Sequence, residues 1–190
     1  MTSDDVLKLF RETGALLEGH FEYASGRHGR QFLQAARVLH HPNHTEQMCK
    51  DLAARFADEQ IDMVVGPATG GIILAYETAR HVGCRAAFTE KEDGGMALKR
   101  GIRLDPGTRI LVVEDIITTG GSVQKSIDHL VARGAITVGV GVLVDRSVGK
   151  AAFDCRFEAL ADINMENWAP EDCPLCSEGV DLIEPDDLIV

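Results

Sequence analysis

Apolar positions recur along this chain with two different periods, and the change from one to the other divides it. Val6, Leu9, Phe10 and Thr13 fall at helical spacing behind Asp4 and Asp5, which suit a cap, and Gly14 ends the run. From Leu17 to Leu33 the pattern is short and broken by Gly19, Gly26 and Gly29, which predicts strands and turns in a small N-terminal lobe. Thr45 opens a second helical stretch with Met48, Leu52, Ala53 and Phe56 on one face. Beyond residue 60 the character changes. Met63 to Val65, Ala86 to Thr89, Ile110 to Val113 and Ile136 to Val144 read as strands, with helices from Ile72 to about His81 and from Ser122 to Arg133 between them. Strands that are apolar on both faces and separated by helices imply an α/β fold, a mainly parallel sheet covered on each side. Ligands of such sheets bind where loops leave the carboxyl ends of the strands.

Composition narrows the class. With 190 residues, 45% hydrophobic and 26% charged, the chain fits one domain with a proper core. We divide it into an N-terminal hood (1–40), a core (60–150) and a C-terminal segment (165–190). A net charge of −11 repels nucleic acid and anionic membranes, so neither is expected as a partner. No apolar stretch is long enough to span a bilayer, and Met-Thr-Ser-Asp-Asp lacks the pattern of a secretory signal. Five cysteines scattered through the chain fit reduced thiols in a cytoplasm better than a disulfide framework.

The most informative stretch runs from Ile110 to Ser122. An apolar strand ends in Glu114-Asp115-Ile116-Ile117, and Thr118-Thr119-Gly120-Gly121-Ser122 leads into a helix. The first turn of a helix carries unpaired N–H groups and the positive end of the dipole, so it attracts phosphate. Two glycines let the backbone approach a ligand, three hydroxyls add donors, and adjacent carboxylates suit a vicinal diol. A plain βα turn with polar cap residues is the competing account for the loop by itself. No lysine follows the glycines as in a Walker A loop, and Gly139 and Gly141 lie inside a strand rather than in a dinucleotide fingerprint.

Val-Val-Glu-Asp-Ile-Ile-Thr-Thr-Gly-Gly-Ser resembles the phosphoribosyl diphosphate (PRPP) motif of type I phosphoribosyltransferases. The resemblance implies that fold, with Glu114 and Asp115 on the ribose hydroxyls, Ile116 and Ile117 among the PRPP-binding residues, and Thr118, Thr119, Gly120, Gly121 and Ser122 on the 5-phosphate. Three further segments are similar to orotate phosphoribosyltransferases. Gly14 to Phe21 with Ser25-Gly26-Arg27-His28 resembles the hood over the base, and Gly66 to Ile72 resembles the pyrophosphate loop, implying PRPP contacts at Ala68, Thr69 and Gly70. Arg146 stands where that family grips orotate, beside Thr118. An arginine suits a carboxylate because it offers planar, bidentate donors. From the residues alone, an exposed Arg146 paired with Asp145 remains open, and a plain turn at Ser25-Gly26 is an equally good account of that segment.

The family uses a mobile loop, shared across a homodimer, where this chain has the polar segment Glu90 to Gly101. Lys91, Lys99 and Arg100 are then the expected catalytic cations, with Mg²⁺ carried mainly by PRPP as cofactor. A surface hairpin with solvated charges is the alternative reading of that run. Ala24 replaces a lysine of the better-known bacterial form, and no histidine occurs between Glu90 and Arg103, which resembles a shorter-loop branch. The implied reaction is transfer of the phosphoribosyl group to N1 of orotate. A purine-specific relative and a PRPP-sensing regulator are the rival readings. Cys173-Pro-Leu-Cys176 reads as a structural turn, since a zinc site needs four ligands and no second pair is near in sequence. The last ten residues read as an ordinary surface segment.

Overall fold

A computed structural model describes residues 1–185, and its elements follow the predicted order with shifted ends. Helix α1 (Ser3–Glu12) is capped by Thr2, not by Asp4 or Asp5. The Thr2 hydroxyl accepts the Asp5 N–H while the Asp5 carboxylate accepts the Thr2 N–H at 2.8 Å, a reciprocal box. Strands β1 (Leu16–Glu22) and β2 (His28–Leu33) form an antiparallel hairpin. A short α2 (Ala36–Leu39) precedes α3 (Pro42–Arg55), which begins three residues before Thr45 because proline is tolerated in a first turn.

The remaining elements are β3 (Met63–Pro67), α4 (Gly70–Val82), β4 (Arg85–Glu92), β5 (Gly95–Leu98), β6 (Arg109–Ile117), α5 (Gly121–Ala132), β7 (Ile136–Asp145), β8 (Arg156–Asp162), β9 (Asn167–Trp168), a 3₁₀ turn at Pro170–Asp172 and α6 (Pro174–Ser177). Six strands form the central sheet in the order β5-β4-β3-β6-β7-β8, parallel except for β5. β8 has no counterpart among the strands read from the sequence. A separate sheet joins β1 and β2 to β9, so the hood is built from both ends of the chain.

Alternation along the central strands sorts the core into two layers. Val64, Leu111 and Val113 face Leu52 and Phe56 of α3 and Leu74 of α4. Met63, Val65, Ile110 and Val112 face Val123, Ile127 and Leu130 of α5. Gly139 and Gly141 leave room for α3: a β-carbon at Gly139 would meet the Phe56 ring, and one at Gly141 would press on Leu52. The chain leaves β3 toward β4 on one side and β6 toward β7 on the other. That reversal opens a crevice between the ends of β3 and β6.

The tail does more than cover a surface. Ile183 donates its N–H to the His20 carbonyl at 2.7 Å, and its side chain lies against Gly19. Residues 186–190, part of the predicted surface segment, lie outside the described residues.

Candidate active site

β6 runs to Ile117, four residues past the predicted end, so the acid pair belongs to the strand. α5 then starts behind Gly120, whose φ of 74° favours glycine and where a β-carbon would also meet the Phe153 ring. No side chain caps α5; the nearest hydroxyl, Thr119 Oγ1, receives the Gly121 N–H at a long 3.4 Å. Residues 116–123 with Glu114 enclose a small polar cavity of about 90 Å³ at the start of α5, whose first-turn N–H groups lack partners within the helix.

Glu114 and Asp115 are partly buried and adjacent. The Ile116 N–H donates to Asp115 Oδ1 at 2.6 Å, and the Asp115 N–H donates to Glu114 Oε1 at 3.2 Å. Burial pushes the Glu114 carboxyl up to about 8, reinforced by the charge of Asp115. Burial also raises Asp115, against the opposing pull of the Ile116 N–H. Hydroxyl donors arriving from a ligand favour the ionised forms and reverse both shifts.

The loop after β3 comes to the same crevice. Ala68 donates its N–H to the Thr89 carbonyl at 2.7 Å, the Ala68–Thr69 peptide is cis, and α4 begins at Gly70 without a side-chain cap. A β-carbon on Gly70 would occupy the space of the Asp115 carboxylate. Two uncapped helix N-termini thus flank one acid pair.

A larger cavity of about 550 Å³ opens next to the cradle and is shared by Ser25, Thr118, Thr119 and Arg146. That volume is ordinary for a small-molecule site. Arg146 donates its backbone N–H to the Ile117 carbonyl at 2.8 Å, and its guanidinium carbon lies 4.7 Å from the Tyr23 ring centre. Asp145 accepts the Ser147 N–H at 2.6 Å, so it holds its own turn and leaves Arg146 for another anion. Burial lowers the Arg146 pKa, a shift that an anionic ligand reverses. Gly26 shapes the hood turn at φ 73°, its N–H given to the Tyr23 carbonyl. Tyr23, Lys150, Asn164 and Asn167 also line this cavity and were not singled out in the sequence. Tyr23 had a local signal, an aromatic beside a glycine-containing turn; the asparagines had none.

The polar segment is a hairpin as far as Leu98, with its turn at Asp93-Gly94. Lys91 shares a cavity of about 270 Å³ with Ser122 and Lys125, a cation the sequence reading passed over. Lys99 pairs with Glu92 at 2.9 Å, and Arg100 holds Glu90 in a two-pronged bond at 2.8 and 2.6 Å. These two cations stand just past the end of β5 and pair back onto the acids of β4.

Comparison with known proteins agrees with this geometry. Residues 34–175 match the phosphoribosyl transferase domain model. The chain is 49% identical over 185 residues to the orotate phosphoribosyltransferase of Pelotomaculum thermopropionicum, covering 97% of each chain. It is 49% identical over 181 residues to that of Thermus thermophilus, covering 95% of this chain and 99% of the relative. Among solved structures, the orotate phosphoribosyltransferase of Aeropyrum pernix superposes with a TM-score of 0.71 at 26% identity, covering 83% of this chain and 93% of that one.

Proposed function

The chain belongs to the phosphoribosyl transferase family, among the orotate phosphoribosyltransferases, and from that premise we propose how its crevice carries out the reaction. The enzyme transfers the 5-phosphoribosyl group of PRPP to N1 of orotate, yielding orotidine 5′-monophosphate and pyrophosphate in pyrimidine biosynthesis. The carrying observation is the single crevice that puts Arg146 and Ser25 beside Thr118 and Thr119.

In this reading the 5-phosphate sits on the N–H groups of Gly120 to Ser122, and the ribose hydroxyls donate to Glu114 and Asp115. The pyrophosphate lies toward Ala68, Thr69 and Gly70 at the start of α4. The orotate carboxylate takes the Arg146 guanidinium, with Tyr23 and the Ser25-Gly26 turn on the ring. The C1–pyrophosphate bond breaks as N1 bonds to C1 from the opposite face, and the N1 proton is taken up by the released pyrophosphate. Positive charge grows on the ribose and negative charge on the leaving group, so the residues contribute positioning and electrostatics and no covalent nucleophile is needed.

Mg²⁺ suits this donor set, because the acid pair and the sugar hydroxyls offer hard oxygens. Glu114 and Asp115 would hold the ion through the substrate oxygens they orient, and when bound it would supply neutralisation of leaving-group charge. Lys91, Lys99 and Arg100 do the same from the hairpin once it folds over the crevice, and closure keeps water from PRPP.

We also propose a cytoplasmic homodimer that shares the hairpin. Ile73 and Tyr76 on α4 are 48% and 69% exposed, beside Leu39 and Pro42, an apolar surface suited to a second copy. All five cysteines are free, and no helix among the described residues is long and apolar enough to cross a membrane. Purified protein given Mg²⁺, PRPP and orotate should release pyrophosphate in step with orotate loss; no turnover overturns the reading.

A further inference from the structure

The cysteine pair near the C-terminus finds in space the partners it lacks in sequence. His20 of β1 and His28 of β2 lie against Cys173 and Cys176, and one ligand atom from each of the four falls within 4.8 Å of all the others. His20 Nε2 is 3.0 Å from His28 Nδ1, 3.5 Å from Cys173 Sγ and 3.7 Å from Cys176 Sγ. Cys176 Sγ is 3.3 Å from His28 Nδ1. Ligands on a tetrahedral zinc, with Zn–N near 2.0–2.1 Å and Zn–S near 2.3 Å, stand roughly 3.3–3.8 Å apart. Three of the four distances fall in that range, the two imidazole nitrogens stand slightly closer, and the remaining pairs lie within 4.8 Å, a grouping that one ion of this size can bridge.

We propose that His20, His28, Cys173 and Cys176 bind one structural zinc ion.

The surroundings support coordination over a mere polar cluster. His20 Nδ1 lies 2.7 Å from the Val180 carbonyl, which accepts its proton, so Nε2 presents a lone pair to the centre. His20, His28 and Cys173 are 1%, 6% and 2% exposed, and Cys176 closes the group from the exposed side. Two thiolates and two neutral imidazoles cancel the charge of Zn²⁺, which a buried site requires. All four positions come from the protein, leaving none open for a reacting water, and a tetrahedral set of two sulfurs and two nitrogens selects zinc over the hard cations that serve PRPP.

The ion also has mechanical work at this place. The hood sheet has two strands of ordinary length and the two-residue β9, too little to be stable alone. Zinc would join β1, β2 and the start of α6, fastening the C-terminal segment to the hood. His20 and His28 also stand at the two ends of the turn carrying Tyr23 and Ser25, which line the base cavity. Fixing those ends fixes that wall of the site. This consequence for orotate rests on the proposed function; the metal site does not.

The test uses full-length protein without a histidine tag, purified under reducing conditions, and reads metal content by plasma mass spectrometry. We expect about one zinc per chain, lost in Cys173→Ser and Cys176→Ser but kept in Cys84→Ser. Cobalt loaded in place of zinc should give the intense visible bands of a tetrahedral thiolate site, a readout on the wild type that stands even where a variant fails to fold. Stripping the metal should lower Tm by roughly 5–15 °C and raise KM for orotate more than KM for PRPP. Reduced, folded protein that takes up neither zinc nor cobalt overturns the proposal. So does a Cys173–Cys176 disulfide in protein isolated without reductant and carrying no metal, or zinc retained in both serine variants.

Discussion

Gly70 lies so close to Asp115 that a β-carbon on the glycine would occupy the space of the carboxylate. The contact joins the loop after β3 to the end of β6 across the crevice, so the proposed pyrophosphate and ribose contacts would share one geometry. Gly70→Ala must displace Asp115 or the start of α4. The expected result is a loss of PRPP affinity of roughly tenfold or more, about 1.4 kcal/mol, with little change in Tm. Calorimetric titration with PRPP checks this, and affinity within twofold of wild type removes the contact from the argument.

Asp115→Asn keeps the shape but loses an acceptor for the ribose hydroxyls. PRPP binding should weaken by about 1.5–3 kcal/mol, the range for hydrogen bonds to charged groups. Unchanged PRPP affinity takes Asp115 out of the ribose site.

The raised Glu114 carboxyl predicts a pH dependence of stability. Its folded pKa, near 8, lies above the ordinary carboxylate value near 4.5. Between those values the folded chain binds more protons than the unfolded chain, so this group's contribution falls as pH rises and is gone above about 8. Tm measured without ligand should decline across that window more steeply in wild type than in Glu114→Gln. Parallel profiles for the two proteins contradict the assignment.

Arg146→Lys retains the charge but loses the two-pronged fork and the stack on Tyr23. KM for orotate should rise by roughly 30-fold, about 2 kcal/mol, while the PRPP constant stays near wild type. A parallel rise in both constants would place Arg146 in general folding instead.

Lys99 and Arg100 form exposed ion pairs on the hairpin, and such pairs contribute about 0–1 kcal/mol to stability. Lys99→Ala and Arg100→Ala should therefore leave Tm almost unchanged. Turnover should fall much more than orotate binding, because these charges act on the leaving group. Equal losses in turnover and binding contradict the role given to the hairpin.

What could be read from the chain, and what could not, follows from the range of the interactions. The cradle lies within residues 110–122, so strand, acids, glycines and helix start announce themselves together. Arg146 was placed by the strand it ends. β8 was missed because Arg156 to Asp162 mixes Arg156, Glu158 and Asp162 with apolar residues at the sheet edge, where burial is incomplete. The hood strands β1 and β2 were legible, but their third partner escaped because β9 is two residues long and pairs across about 140 residues of sequence. His20 and His28 carried no metal signal beside Cys173 and Cys176 for the same reason: the grouping exists only after both ends of the chain meet. Lys125 faces outward on α5 and resembled any solvated lysine until the hairpin placed Lys91 near it.

The central claim is that Arg146 and the Ser25-Gly26 turn make this cradle an orotate site. Initial rates with Mg²⁺ and PRPP, offering orotate, uracil, hypoxanthine and xanthine in turn, test it most directly. The account predicts turnover with orotate, lost when Mg²⁺ is removed, and no comparable rate with the other three bases; turnover of a purine without turnover of orotate would contradict it.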